Sequence, residues 1–421
     1  MLFKNRKPIN FENALQTNAL DKGVASVLYL NDSIHLIFEA CKSCYNVQKT
    51  MSYEETKQYI GRRIAAGHGS ILEHSNLIFS IEGISTEYMA DLGKLCSMTG
   101  NPTKYLKFLT HNLYDGTGNM NVVVGGTVRG FKHFVQNFDY DQDNIFFNHI
   151  LGQLYQSTVK EYWLDVPDSM VDKSKFVSNL FEHDEQQFEE AESDFRNALP
   201  KISNKDKFRI VNYDQVFIVR NELERLGFWK VEDIEQLCTI TICFENMSRT
   251  ATHQLVRHRN GITQESQRYV DYSQAGFTVP KLDYLGNDTK FDIELLGQKM
   301  QMTPKEIADL MMSIYPQLKS QGMRKEDARA YLPSNVQCKK LFMTFTFSSL
   351  AMFFMLRCEK HAQAEIRSYA WDIIERLKSE DEKRLEKLEE MNKKLNIELL
   401  ERDTWNIFTP SAREVYETYK D

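Results

Sequence analysis

The chain has little of what would place it in a membrane, a secretory route or on a nucleic-acid backbone. Among its 421 residues no run reaches the roughly 18 consecutive apolar residues that a spanning helix needs. The opening MLFKNRKPINFENALQ holds no apolar stretch of leader length, so no leader is expected. A formal charge of -7 gives no global pull toward phosphodiester backbones. No nucleic-acid partner is expected, and any anionic ligand must be held by local cations. The seven cysteines are an odd number, scattered from Cys41 to Cys358, which suits free thiols in a reducing cytoplasm better than a disulfide frame. The CxxC at Cys41 and Cys44 lacks the further ligands of a zinc site, and no metal is expected. What is present is a soluble, globular balance of 42% hydrophobic and 26% charged residues. At this length it predicts two domains.

Two halves are visible. Leu77 to Ser85 and Thr239 to Ser248 both alternate like a half-buried strand and end on a serine suited to cap a helix. Helix-like segments follow, Thr86 to Leu95 in one half and Arg249 to His258 in the other. Later, Thr127 to Phe134 matches the place of Thr346 to Phe353. The order of these features predicts an internal duplication. It divides the chain into an N-terminal repeat over 1–180, an acidic connection over 181–210 and a C-terminal repeat over 211–421. The charged run from Ser379 reads as a solvent-facing terminal helix. The Met- and Phe-rich run from Leu341 to Leu356 reads as core. The segment from about Lys281 to Gln321 reads as an insert.

The densest chemistry lies in SRTATHQLVRHRNGITQESQRYV, from Ser248. With Ser248 as cap, Gln254 and His258 share one helical face, and His253 and Arg257 another. The helix is expected to end near Asn260-Gly261, where glycine accepts a positive φ. A polar loop is then expected to bring Arg257, Arg259 and Arg268 together, beside the hydroxyls of Ser266 and Tyr269. Converging guanidinium forks suit a phosphate. The alternative at this point is a set of surface or interface arginines paired with glutamates.

This stretch resembles the signature of the flavin-dependent thymidylate synthases, which carry an Arg-His-Arg triplet followed by a glutamate, a serine and Arg-Tyr. Four further segments resemble that family in its order. They are Ala40 to Tyr45, Gly67 to His74 with its Glu73-His74, Glu326 to Pro333, and Leu356-Arg357 with His361 to Arg367. One residue of the family's spacing is missing between Glu265 and Ser266, and Gln264 stands for its usual asparagine. The Arg-His-Arg triplet survives in the second half alone, and Glu-His in the first alone. The family's flavin-contacting segment is best matched by Thr127 to Phe134, whereas Thr346, Ser348 and Met352 have lost its polar character.

The resemblance implies an α+β fold in two fused copies, each an antiparallel sheet with packed helices. It implies a cytoplasmic enzyme that converts dUMP to dTMP with methylenetetrahydrofolate, FAD and NADPH. Residue by residue, it implies catalytic roles for Arg357, Arg257 and Ser266. Arg357 would stabilise charge on the uracil ring. Ser266 would bond phosphate rather than act as a nucleophile, since no base is identifiable for it. The dUMP contacts would be Gln254, Arg257, Glu265, Ser266, Gln267, Arg268, Arg357 and Lys339 or Lys340. The FAD contacts would be His74, Ser75, Arg129, His133, His258, Arg259 and Glu265. Family members work as tetramers of identical chains, so a homodimer of this chain forming a pseudo-tetramer is implied. Two alternatives remain: a nucleotide-binding or interaction protein that has lost the chemistry, and an enzyme for another pyrimidine nucleotide.

Overall fold

In Thr239–Ser248 threonine, isoleucine and phenylalanine dominate, and this segment forms strand β6, as β-branched and aromatic residues fit a pleated surface. It was expected to be half-buried, yet Ile240 to Phe244 are all buried. The reason is helix α1 (Ser33–Tyr45) from the other half of the chain. Its Leu36 and Ala40 pack on Cys243 and Phe342, on the face that would otherwise meet solvent.

The structure is a computed structural model that describes residues 24–30, 33–45, 47, 49–85, 106–112, 119–130, 208–210, 223, 225–228, 230, 235–258, 261–278, 288–395 and 410–419. The expected helix over 86–95 and the acidic segment over 181–207 lie outside the described residues. The fold is α+β with antiparallel sheets. One sheet has the order β1-β2-β4-β3, from Val24–Leu30, Asn76–Ser85, Asn119–Thr127 and Leu106–Asn112. The other has the order β5-β6-β10-β7, where β5 is Phe208–Ile210, β7 is Gly261–Gln264 and β10 is Gln337–Thr346. In both sheets the second strand in sequence lies between the first and the fourth, and the third pairs with the fourth. Both fourth strands also end on a threonine that holds a helical turn. Thr346 Oγ1 accepts from Ser349 N and Thr127 Oγ1 from Gly130 N.

The sheets share a core. Ile78 of β2 and Val123 of β4 lie in one buried cluster with Leu237, Ile242, Met343 and Phe345. Each fully buried side chain of this size contributes roughly 1.5–3 kcal/mol. Helices α2 (Tyr53–Ala65), α3 (Arg249–Leu255), α4 (Pro304–Ser320), α5 (Lys325–Ala328), α6 (Phe347–Arg357), α7 (Ala364–Leu395) and α8 (Pro410–Tyr419) complete the described architecture with the hairpin β8–β9 (Phe291–Leu295, Gln298–Met302). Helix α7 carries the charged run, so its expected helical form is present, and α8 follows it. Among the described residues, no helix is long and apolar enough to cross a membrane.

The run from Leu341 to Leu356 is core only in part. Phe345, Phe347, Phe353 and Phe354 are buried, but Met352, Met355 and Leu356 are exposed. Their spacing puts all three on one stripe of α6.

Candidate functional site

Ser248 caps α3 as expected, its hydroxyl accepting from Ala251 N. Glu365, at the start of α7, accepts from both Ser248 N and Ser248 Oγ and ties that cap in place. Helix α3 tightens into a 3-10 turn over Val256–His258, which sets Gln254 and His258 beside Arg357 at the end of α6. Arg357 Nε donates to His258 Nε2 at 3.2 Å, and its terminal nitrogens reach Gln254 O and Oε1 at 3.4 and 3.5 Å. Gln254 Nε2 in turn donates to Gln363 Oε1 at 2.6 Å.

Burial, with Arg357 adding to it, pushes the His258 pKa down to about 4. His258 is thus neutral near pH 7, and accepting at Nε2 assigns its proton to Nδ1. Burial and the charge of Arg257 lower the Arg357 pKa. Among the described residues, neither arginine forms an ion pair with a carboxylate. Two like charges are therefore held together without a counter-ion, an arrangement that an anion would relieve.

After the triplet the structure departs from expectation. Gly261 is not a helix cap with positive φ, and no polar loop follows it. It opens strand β7, which pairs with β10 from Gly261↔Thr344 to Gln264↔Leu341. What requires glycine here is space, since a Cβ would stand 2.6 Å from the Glu73 carbonyl oxygen. The strand separates Arg257 from Arg268, because four residues at about 3.3 Å each span roughly 10 Å between the first and last Cα. Arg259 lies outside the described residues.

Beyond β7 a second group forms. Ser266 N donates to Cys44 O at 3.0 Å, and its hydroxyl accepts from Arg268 N at 3.3 Å. Arg268 pairs with Glu326 at 3.6 Å and lies over the Tyr269 ring. Tyr269 meets Tyr45 at 5.1 Å between centroids, and the Arg63 guanidinium sits 3.9 Å from the centre of the Tyr45 ring. His68 adjoins both tyrosines, and burial with the charges of Arg63 and Arg268 lowers its pKa. A cavity of about 520 Å³ opens alongside, lined by Gln267, Met323, Glu326, Asp327, Arg329 and Tyr331. Lys339 is exposed on β10, while Lys340 lies opposite Glu245. Glu265 is buried, its carbonyl held by Arg249, which also bonds Tyr272 and Gln264.

The expected flavin residues divide. His74 is fully buried, with Nδ1 on Thr344 Oγ1 at 3.0 Å and Nε2 on Thr263 Oγ1 at 2.8 Å. Ser75 is buried as well, and its hydroxyl has no bonding partner among the described residues. Arg129 is partly exposed and ion-paired with Glu73. His133 lies outside the described residues. Sequence reasoning missed Arg63, His68, Arg249 and Gln363. Gln363 stands inside a motif quoted above, and His68 precedes Glu73-His74 in another. No sequence signal marks Arg249.

Fold and site thus define an α+β protein of antiparallel sheets whose clustered cations flank one short strand. The family model described as Thymidylate synthase complementing protein matches residues 27–107 and 186–381. The chain belongs to that family. It is 34% identical over 165 residues to the flavin-dependent thymidylate synthase of Pyrococcus furiosus, covering 39% of this chain and 64% of that protein. The Pyrococcus abyssi enzyme of the same name is 33% identical over 180 residues, covering 42% and 69%. That of Geobacter sulfurreducens is 33% identical over 150 residues, covering 35% and 60%. The chain thus spans about two thirds of the length of the curated relatives it matches.

Proposed function

We propose that this chain is a flavin-dependent thymidylate synthase that methylates dUMP to dTMP in the cytoplasm, using methylenetetrahydrofolate, FAD and NADPH. The observation that carries the reading is the Arg257–Arg357 pair, which has no counter-ion among the described residues and whose Arg357 is oriented by Gln254 and neutral His258. Arg357 presents a fixed guanidinium to an electron-rich ring and stabilises negative charge as it develops there. Gln254 fixes the guanidinium's tilt, and His258 accepts from Nε without adding a competing charge. Ser266 and Arg268 offer a hydroxyl and a cation to phosphate.

When bound, the flavin supplies the hydride; the protein contributes position and electrostatics. Its fit is uneven. Arg129 and His258 are partly exposed and suit phosphate or ring-carbonyl contacts, whereas sealed His74 does not suit a flavin contact. Arg257 and Arg268 flank β7 from opposite ends, and the proposed site draws on the two groups through a second copy of the chain. The proposed assembly is a homodimer, in which the shared strand order of the two sheets reflects a duplicated unit and makes the dimer a pseudo-tetramer.

Turnover of dUMP with all three co-reactants tests the function. Arg257→Ala and Arg357→Ala should each reduce kcat/KM by about a hundredfold or more, the scale for removing one preorganised charge donor. Full activity in either variant would remove the assigned roles.

A further inference from the structure

We infer that Glu73 and His74 are positioning residues that clasp β7 between the two halves of the chain, setting where its arginine-bearing ends stand, rather than contacts to a cofactor. The functional consequence rests on the dUMP reading above; the clasp itself does not.

Four observations converge on it. The His74 ring bridges Thr263 of β7 and Thr344 of β10, and Thr344 Oγ1 bonds Thr241 Oγ1 of β6 at 2.8 Å, so one side chain of the first half links three strands of the second. Glu73 binds Arg129, just beyond β4, and Ser75 O accepts from Val128 N at 2.9 Å, which anchors the same segment to the first sheet. The Glu73 backbone lies so close to Gly261 that no side chain fits between them. Finally, β7 is four residues long and, among the described residues, pairs in the sheet with β10 alone. So short an edge strand holds its place poorly without contact on its other side. The His74 pKa is pushed down to about 3 by burial, so the imidazole is neutral and donates from one nitrogen while accepting at the other.

The position of β7 matters because Arg257 and His258 precede it and Ser266 and Arg268 follow it. A shift of about 1 Å at either end misaligns groups that act by geometry.

The test uses the full chain with the paired substitution Thr263→Val and Thr344→Val, which keeps shape and removes both hydroxyls. Three quantities are read: the dUMP Kd, the FAD Kd, and hydrogen exchange at Gly261 to Gln264. The expected result is a dUMP Kd raised about tenfold, the scale of losing one or two buried hydrogen bonds. FAD affinity, which draws on His258 at one end of β7 alone, should fall by less than dUMP affinity, and β7 exchange should be faster. Serine at both positions, which restores the hydroxyls, should return all three values toward wild type. Unchanged β7 exchange in the valine variant would overturn the clasp. So would His74→Gln weakening FAD while sparing dUMP. If the wild-type chain binds no dUMP, the functional reading fails, and β7 exchange still decides the clasp.

Discussion

Gly261→Ala puts the contact between the halves under direct strain. The added Cβ would stand 2.6 Å from the Glu73 carbonyl oxygen, 2.9 Å from Glu73 Cβ and 3.0 Å from its carbonyl carbon. Ordinary contact begins near 3.4 Å, so the two backbones must part by about 0.8 Å. Neither can yield by rotating a side chain: β7 is bonded to β10, and Glu73 is followed by the doubly bonded His74. Overpacking of this kind costs about 1–3 kcal/mol. The unfolded alanine chain loses entropy that gives back about 0.4–1 kcal/mol. The net expectation is a loss of about 1–2 kcal/mol, with kcat/KM falling by at least about tenfold as β7 is displaced. Urea unfolding at constant m measures the first and steady-state turnover the second. Gly276→Ala is the control, because the added methyl there meets only the end of the flexible Gln337 side chain, and it should stay within about 0.5 kcal/mol of wild type. If Gly261→Ala is as stable and active as Gly276→Ala, the close approach of Glu73 to β7 does not exist in solution.

Acid should destabilise the chain before its carboxylates titrate. The folded-state pKa values of His74 and His258 lie near 3 and 4, against an ordinary 6.5. Below pH 6.5 the unfolded chain therefore binds more protons, and stability falls as pH drops through this range toward the folded values. Buried His74 alone gives a slope of at most about 1.4 kcal/mol per pH unit. His74→Gln should reduce the slope between pH 6.5 and 5, and an unchanged slope would refute the neutral, sealed imidazole. For the assembly, Met352→Asp on the exposed stripe of α6 should shift sedimentation from dimer to monomer and lower activity with it, whereas an unshifted active dimer would place the interface elsewhere.

Local signals were read directly where one residue settles the outcome. Ser248 capping α3 followed from its position before an apolar-periodic segment, and Thr346 repeated the device at α6. The strands β2 and β6 followed from alternation. The departures at β6 and Gly261 have a common cause: each depends on what the other half of the chain does. Periodicity could not show that β6 is covered on both faces, because the cover, α1, lies about 200 residues away in sequence. The sequence around Gly261 points to a cap because glycine most often marks positive φ, yet its neighbour in space is Glu73. His74 looked like a ligand contact from its motif, but both of its ring nitrogens are used by threonines of β7 and β10. Arg257, Arg259 and Arg268 lie within twelve residues, and β7, paired to β10, stands between Arg257 and Arg268. The motif names the chemical groups, whereas contacts between the halves decide which of them face a ligand and which hold the framework.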